Sequence, residues 1–144
     1  MTTAMLGIDI DGVIAPLSPK AKELRRRGFQ RVNYHGKIRY PKNSTWSPYS
    51  ELWLSSAHGK MLREFSVRHD IELVWTSMWS GNANRVVSPV LGLPRLNYVD
   101  FFNHESGPEV WKWSAVADYA AGRPLAWLDD GFSAREHRQL ESGW

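Results

Sequence analysis

The chain has 144 residues, 42% of them hydrophobic and 23% charged, which is typical of one globular domain rather than a disordered chain. It contains no cysteine, which excludes disulfides, zinc–thiolate sites, iron–sulfur clusters and cysteine nucleophiles. No apolar run approaches the ~20 residues that a membrane span needs, and the N-terminal segment meets acidic residues too early for a signal peptide. We therefore expect one soluble, cytoplasmic domain over residues 1–144, without membrane contact.

The formal charge of +3 is unevenly distributed along the chain. Between Ser18 and Arg63, eleven Lys or Arg residues are opposed only by Glu23 and Glu51, so this segment carries +9 and the remainder −6. A basic third beside an acidic remainder predicts a surface that attracts anionic partners. The eleven cationic residues are Lys20, Lys22, Arg25, Arg26, Arg27, Arg31, Lys37, Arg39, Lys42, Lys60 and Arg63.

Apolar runs of strand length alternate with segments of helical pattern. The runs predict four strands, at residues 5–10, 71–76, 96–99 and 125–128. Helices are predicted at 20–27, 58–69, 83–91 with Ser80 or Asn82 as its cap, 108 to about 121 with Gly122 as its stop, and from Ser133 onward. This alternation predicts an α/β fold, with a mainly parallel sheet that is covered by helices on both faces.

Residues 14–57 lack a sustained period apart from the short basic helix, and Pro and Gly residues interrupt them repeatedly. We interpret them as an irregular, basic insertion between the first and second predicted strands. Aromatic residues are interleaved with its cations, a composition that suits a track for single-stranded nucleic acid. The alternative is a solvated basic face whose aromatic side chains anchor the segment to the core. The aromatic residues are Phe29, Tyr34, Tyr40, Trp46, Tyr49 and Trp53.

Acidic and hydroxyl side chains follow three of the four predicted strands, where ligands of parallel sheets bind. They are Asp9 and Asp11, Thr76 and Ser77, and Asp129 and Asp130. Carboxylates repel one another, so such a cluster persists mainly where a cation or a shared proton relieves the repulsion. Because every candidate ligand is an oxygen, we expect a hard cation, Mg²⁺ before Ca²⁺. An EF-hand is excluded because residues 13–16 (VIAP) offer no further oxygen side chains.

Four short motifs, in this order along the chain, resemble those of the haloacid dehalogenase (HAD) superfamily. They are residues 8–13 (IDIDGV), residues 73–76 (LVWT), Lys112 and residues 128–130 (LDD). Residues 72–86 and 123–130 further resemble the small HAD phosphatase domains of bacteria and their phages, some of which are associated with RNA repair. The resemblance implies a HAD-like Rossmannoid fold of three layers, with the insertion at 14–57 as a small cap.

The resemblance also implies roles for individual residues. Asp9 would be the nucleophile that forms an aspartyl-phosphate, and Asp11 the general acid and base. Lys112 would neutralise phosphate and steady Asp9, while Thr76, or Ser77 in its place, would hydrogen-bond a phosphoryl oxygen.

The same resemblance implies a Mg²⁺ site. Its ligands would be the Asp9 carboxylate, the backbone carbonyl of Asp11 and an acid of the Asp-Asp pair, Asp130 before Asp129. Because dehalogenases usually lack the second acid of the first motif, Asp11 favours phosphate chemistry over dehalogenation.

The substrate stays open between a polynucleotide 3′ or 5′ end and a small phosphorylated metabolite or nucleotide. Arg85, Lys37 and Arg39 are candidate substrate-binding cations, although each also fits an exposed surface position. A Walker A sequence is absent, which excludes a kinase activity on this chain. The competing class is a non-catalytic HAD-like module that binds nucleic acid or protein. The choice between a monomer and a homodimer also stays open.

Overall fold

The computed structural model describes residues 3–17, 20–48, 51–103 and 112–131. These residues form an α/β fold that combines six strands with four helices. In chain order the elements are β1 (Ala4–Ile8), α1 (Ala21–Arg26), β2 (Gln30–Arg31), β3 (Trp53–Leu54), α2 (Ser56–His69), β4 (Ile71–Trp75), α3 (Asn82–Leu91), β5 (Asn97–Tyr98), α4 (Trp113–Ala120) and β6 (Leu125–Leu128).

Four strands form a parallel sheet in the order β5-β4-β1-β6. The first and second motif strands, β1 and β4, are neighbours. Ile8 lies opposite both Trp75 on β4 and Leu128 on β6, so the three strands end at the same level. The residues that follow them are therefore brought together at one edge of the sheet.

Helices cover both faces of this sheet. Successive side chains of a strand point to opposite faces, so each central strand packs against helices on both sides. On one face, Leu6 and Ile8 of β1 pack with Leu62 of α2 and with apolar residues of α3. On the other face, Met5 packs with Val116 and other residues of α4. The predicted α/β fold with a parallel sheet and helices is confirmed for the described residues, and it is compatible with a Rossmann-like fold.

The insertion at 14–57 is more regular than the sequence predicts. The short basic helix is present as α1, but β2 and β3 also pair as an antiparallel ladder. Two-residue strands carry no period, which is why the pattern misses them. Trp53 and Leu54 of β3 are buried in the core, whereas all eleven cationic residues of the basic segment are exposed. Tyr49 lies outside the described residues.

One predicted helix cap differs from the structure, and two other predictions lie outside its described part. Neither Ser80 nor Asn82 caps α3, because Gly81 is the N-cap residue and the Asn82 side chain instead bonds to the insertion. The start predicted near residue 108 and the helix predicted from Ser133 fall outside the described residues. Among the described residues, no helix has both the length and the apolar character needed to cross a membrane.

Candidate active site

A cavity of about 380 Å³ opens at the edge of the sheet where β1, β4 and β6 end. Five of its eight described lining residues are ones that the sequence predicts for the site. They are Asp9, Asp11, Ser77, Lys112 and Asp130, and they are joined by Trp46, Ser47 and Met78. The topology thus brings residues that are up to 121 positions apart around one space.

Asp9 follows β1 directly and is only 5% exposed. Its backbone N–H donates to the carbonyl of Leu128, and its carboxylate Oδ1 accepts a hydrogen bond from the Ile10 N–H at 2.8 Å. The Lys112 Nζ lies 3.3 Å from the other oxygen, Oδ2. Burial raises the pKa of Asp9 from 3.8 to about 7; Lys112 opposes this rise, and the negative charge of Asp129 adds to it.

Lys112 is the N-cap residue of α4, and it bridges two carboxylates. Its Nζ lies 2.9 Å from Asp129 Oδ2, as well as near Asp9, and 3.4 Å from the carbonyl oxygen of Thr76. Burial lowers the pKa of Lys112, but attraction to the two carboxylates outweighs it, so that the pKa is raised overall. Lys112 therefore stays positively charged within the cavity.

Asp11 occupies the tight turn after β1, in which the Ile10 carbonyl accepts hydrogen bonds from three successive backbone N–H groups. Its Oδ2 accepts a hydrogen bond from the indole Nε1 of Trp79 at 3.0 Å. Burial raises the pKa of Asp11, the Trp79 hydrogen bond lowers it, and the charge of Asp130 raises it.

Gly12 lets the first and fourth motifs approach closely. Its φ of +80° lies in the left-handed region that side chains disfavour, and a Cβ atom there would collide with the Asp130 carboxylate. Gly12, the glycine of the Asp-x-Asp-Gly pattern, thus leaves room for Asp130, the acid that follows the neighbouring strand β6.

Three carboxylates are placed so that they would fit a metal ion. Oxygens of Asp9, Asp129 and Asp130 all lie within 4.8 Å of one another. An all-oxygen set of this kind suits a hard divalent cation. The Asp11 carboxylate lies outside this group and accepts the Trp79 hydrogen bond instead. Asp129 is paired with Lys112, whereas Asp130 lines the cavity.

The structure places the two candidate hydroxyl groups differently. Thr76 is fully buried and absent from the described cavity lining, and its methyl group packs where a Gly7 side chain would stand. Its Oγ1 has no hydrogen-bond partner among the described residues. Ser77 lines the cavity, and its Oγ accepts the backbone N–H of Trp79 at 3.1 Å. Of these two candidates, Ser77 rather than Thr76 therefore contributes to the cavity wall.

The three cations predicted to bind substrate are not among the residues described around the cavity. Arg85 donates to Asn82 Oδ1 at 2.7 Å, and burial, followed by repulsion from Arg39, lowers its pKa. Asn82 also exchanges two hydrogen bonds with the backbone of Arg39, at 2.8 and 3.0 Å, which ties the insertion to α3. Lys37 is exposed. Lys112 is the one Lys or Arg in the described lining.

The sequence does not predict Ser47, Met78 or Trp79 for the site, and it indicates Trp46 only as one of the aromatic residues of the insertion. Trp79 is 1% exposed, and the edges of Tyr34 and Trp46 approach its ring with centroid distances of 5.8 and 5.7 Å. From the sequence alone, an aromatic residue in a loop after a strand is predicted to be an ordinary residue of the hydrophobic core. The eight Trp residues of this short chain are the one signal that points to aromatic side chains at the site.

Comparisons with protein-family models, curated proteins and solved structures give no match to this chain. The functional interpretation therefore depends on the residues of the cavity and on their geometry. Two elements of that geometry matter most: a buried carboxylate beside a lysine, and a second acid two positions further along the chain.

Proposed function

We propose that this chain is a Mg²⁺-dependent phosphomonoesterase of the HAD type. The observation that supports this most is the grouping of Asp9, Asp11 and Lys112 around one cavity at the carboxyl ends of parallel strands. A buried carboxylate, a second acid two residues away and a fixed ammonium group supply the nucleophile, the proton donor and the positive charge that phosphoryl transfer needs.

The reaction would proceed in two displacements at phosphorus. In the first, an oxygen of the Asp9 carboxylate attacks phosphorus, the bond to the leaving oxygen breaks, and Asp11 gives that oxygen its proton. In the second, water attacks the aspartyl-phosphate, Asp11 takes a proton from the water, and the bond to Asp9 breaks to release inorganic phosphate. The ammonium group of Lys112 offsets negative charge that the substrate brings to Asp9.

Asp9, Asp129 and Asp130 are the residues that would hold Mg²⁺. When bound, the ion would supply positive charge that reduces repulsion between the Asp9 carboxylate and a phosphate dianion. Burial and the charge of Asp129 both raise the pKa of Asp9, so a cation bound between these carboxylates would favour the ionised form of Asp9.

The insertion at 14–57 would serve as a small cap, and its charge bears on the substrate. Trp46 and Ser47 of the insertion line the cavity, while its cations are exposed outside the described lining. This arrangement supports a polynucleotide end as the substrate, with the terminal phosphate in the cavity and the chain along the basic surface. A small phosphorylated metabolite or nucleotide is the alternative, and it would need only the cavity.

Phosphate release from an aryl phosphate tests the proposed reaction. We expect turnover that requires Mg²⁺, stops with EDTA and is lost in Asp9→Asn. Asp70→Asn is the matched control, because Asp70 is an exposed acid at a left-handed position that Asn also tolerates. Turnover that survives Asp9→Asn or EDTA would refute the mechanism, and an absence of phosphate release with all substrates would favour a non-catalytic binding module.

A salt series separates the two substrate classes. Oligonucleotides with terminal phosphates are compared with nucleoside monophosphates as salt is raised. Preference for the oligonucleotides that weakens steeply with salt is expected for a basic track, because phosphate contacts release counterions. Turnover of monophosphates that is indifferent to salt, without preference for oligonucleotides, would reject a polynucleotide substrate.

A further inference from the structure

Asp9 and Asp11 are held in very different ways. The Asp9 carboxylate is fixed by the Ile10 N–H and by Lys112. The Asp11 carboxylate receives a single hydrogen bond within the described residues, from the Trp79 Nε1 to Oδ2. Because an aspartate side chain can adopt several staggered rotamers, this contact restrains the orientation of the Asp11 carboxylate.

Trp79 is itself held firmly. It is almost fully buried, its backbone N–H donates to Ser77 Oγ, and the rings of Tyr34 and Trp46 pack edge-on against it. Both of these rings belong to the insertion. Trp79 is therefore a rigid donor, and the insertion contributes to that rigidity.

An indole N–H can donate a hydrogen bond but cannot accept one. It therefore pairs best with an Asp11 oxygen that carries no proton, and Oδ2 is the oxygen that it contacts. The proton that Asp11 exchanges is then left on Oδ1, which has no hydrogen-bond partner among the described residues. A carboxylic acid whose proton sits on a defined oxygen loses less orientational freedom in the transition state.

We propose that Trp79 is a positioning residue, which holds the Asp11 carboxyl group so that its free oxygen exchanges a proton with the leaving group and with water. The inference rests on the proposed function, since it assigns Trp79 a part in the acid–base step of the same site. Trp79 touches neither substrate nor metal in this role and acts through Asp11 alone.

The test compares kcat/KM for two aryl phosphates, phenyl phosphate and 2,4-dinitrophenyl phosphate, in the wild type and in Trp79→Phe. Phenoxide leaves poorly and needs a proton, whereas dinitrophenoxide leaves well without one. We expect Trp79→Phe to lower kcat/KM by roughly 10- to 100-fold for phenyl phosphate and by less than about 3-fold for the dinitrophenyl ester. Equal losses on the two esters, or no loss on either, would overturn the proposal.

Trp75→Phe is the matched control. Trp75 is also fully buried, and its Nε1 donates to the Asn84 side chain at 3.1 Å, away from the described cavity lining. The same atoms and one hydrogen bond are thus removed elsewhere in the core. We expect Trp75→Phe to change kcat/KM by the same factor for both esters, and a selective loss on phenyl phosphate would show that leaving-group sensitivity does not report on Asp11.

A second measurement does not depend on turnover or on the folding of Trp79→Phe. In ¹H–¹⁵N spectra, Asp11→Ala should shift the assigned indole N–H resonance of Trp79 and leave that of Trp75 in place. An unmoved Trp79 resonance would overturn the contact itself. A wild type that hydrolyses neither ester would instead refute the proposed function, and with it the catalytic meaning of the contact, so the two failures are distinguishable.

Discussion

Asp9→Asn should make the metal-free protein more stable at neutral pH, although it removes the proposed nucleophile. The pKa of Asp9 is raised from 3.8 to about 7, with burial as the largest cause. The folded protein therefore keeps a proton that the unfolded chain has already lost, and this group's stabilising contribution is complete below the unfolded pKa and is lost as pH rises through about 7. Asn keeps the shape of the side chain but does not ionise.

The magnitude follows from the size of the shift. One pKa unit corresponds to about 1.36 kcal/mol, so the Asp9 contribution falls by ~3 kcal/mol between about pH 5 and about pH 8. The difference in free energy of unfolding, variant minus wild type, should therefore rise by that amount over the same interval.

Urea unfolding of both proteins in EDTA, at several pH values, measures this difference. Asp70→Asn serves again as the control for the removal of an exposed acidic side chain. Adding Mg²⁺ should then stabilise the wild type at about pH 8 by ~2.7 kcal/mol at 100 times Kd, and should stabilise Asp9→Asn much less. Parallel curves for wild type and Asp9→Asn would mean that Asp9 titrates alike in the folded and unfolded states, and so that the fold does not raise its pKa.

Three further predictions concern contacts around the site. Gly12→Ala should cost ~1–3 kcal/mol in urea unfolding and abolish stabilisation by Mg²⁺, because the new Cβ is strained and meets Asp130; retained Mg²⁺ stabilisation would contradict this. Lys112→Gln should lower kcat/KM for phenyl phosphate by roughly 100-fold, since it removes the ammonium group beside the nucleophile; a loss below about 3-fold would contradict its role. Asn82→Ala should speed hydrogen exchange around Arg39 and cost about 1–2 kcal/mol, because two hydrogen bonds to the insertion are lost; unchanged exchange there would show that another contact holds the insertion.

The main strands and the converging acids could be predicted because they follow from local patterns. Apolar runs identify β1, β4 and β6, and the rule that parallel strands end at one edge then places Asp9 and Asp130 together. Lys112 also lies in the cavity, where the resemblance to the HAD motifs puts the third motif.

The remainder depends on contacts between distant residues, which carry no local signal. Trp79 meets Asp11 across 68 positions, and nothing in the loop around it distinguishes it from a core residue. Thr76 points toward Gly7, whereas Ser77 lines the cavity. The difference arises because successive side chains at the end of β4 point to opposite sides. Arg85 bonds to Asn82 because the insertion packs there, and helical spacing alone does not reveal this.

Trapping the intermediate shows whether Asp9 forms a covalent bond to phosphorus. The protein is mixed with Mg²⁺ and an aryl phosphate, quenched in acid within a single turnover, digested and analysed by mass spectrometry. We predict one phosphoryl group on the peptide that contains Asp9, and none on that peptide in Asp9→Asn. Turnover without a phosphorylated peptide, or with the phosphoryl group on another residue, would contradict the account.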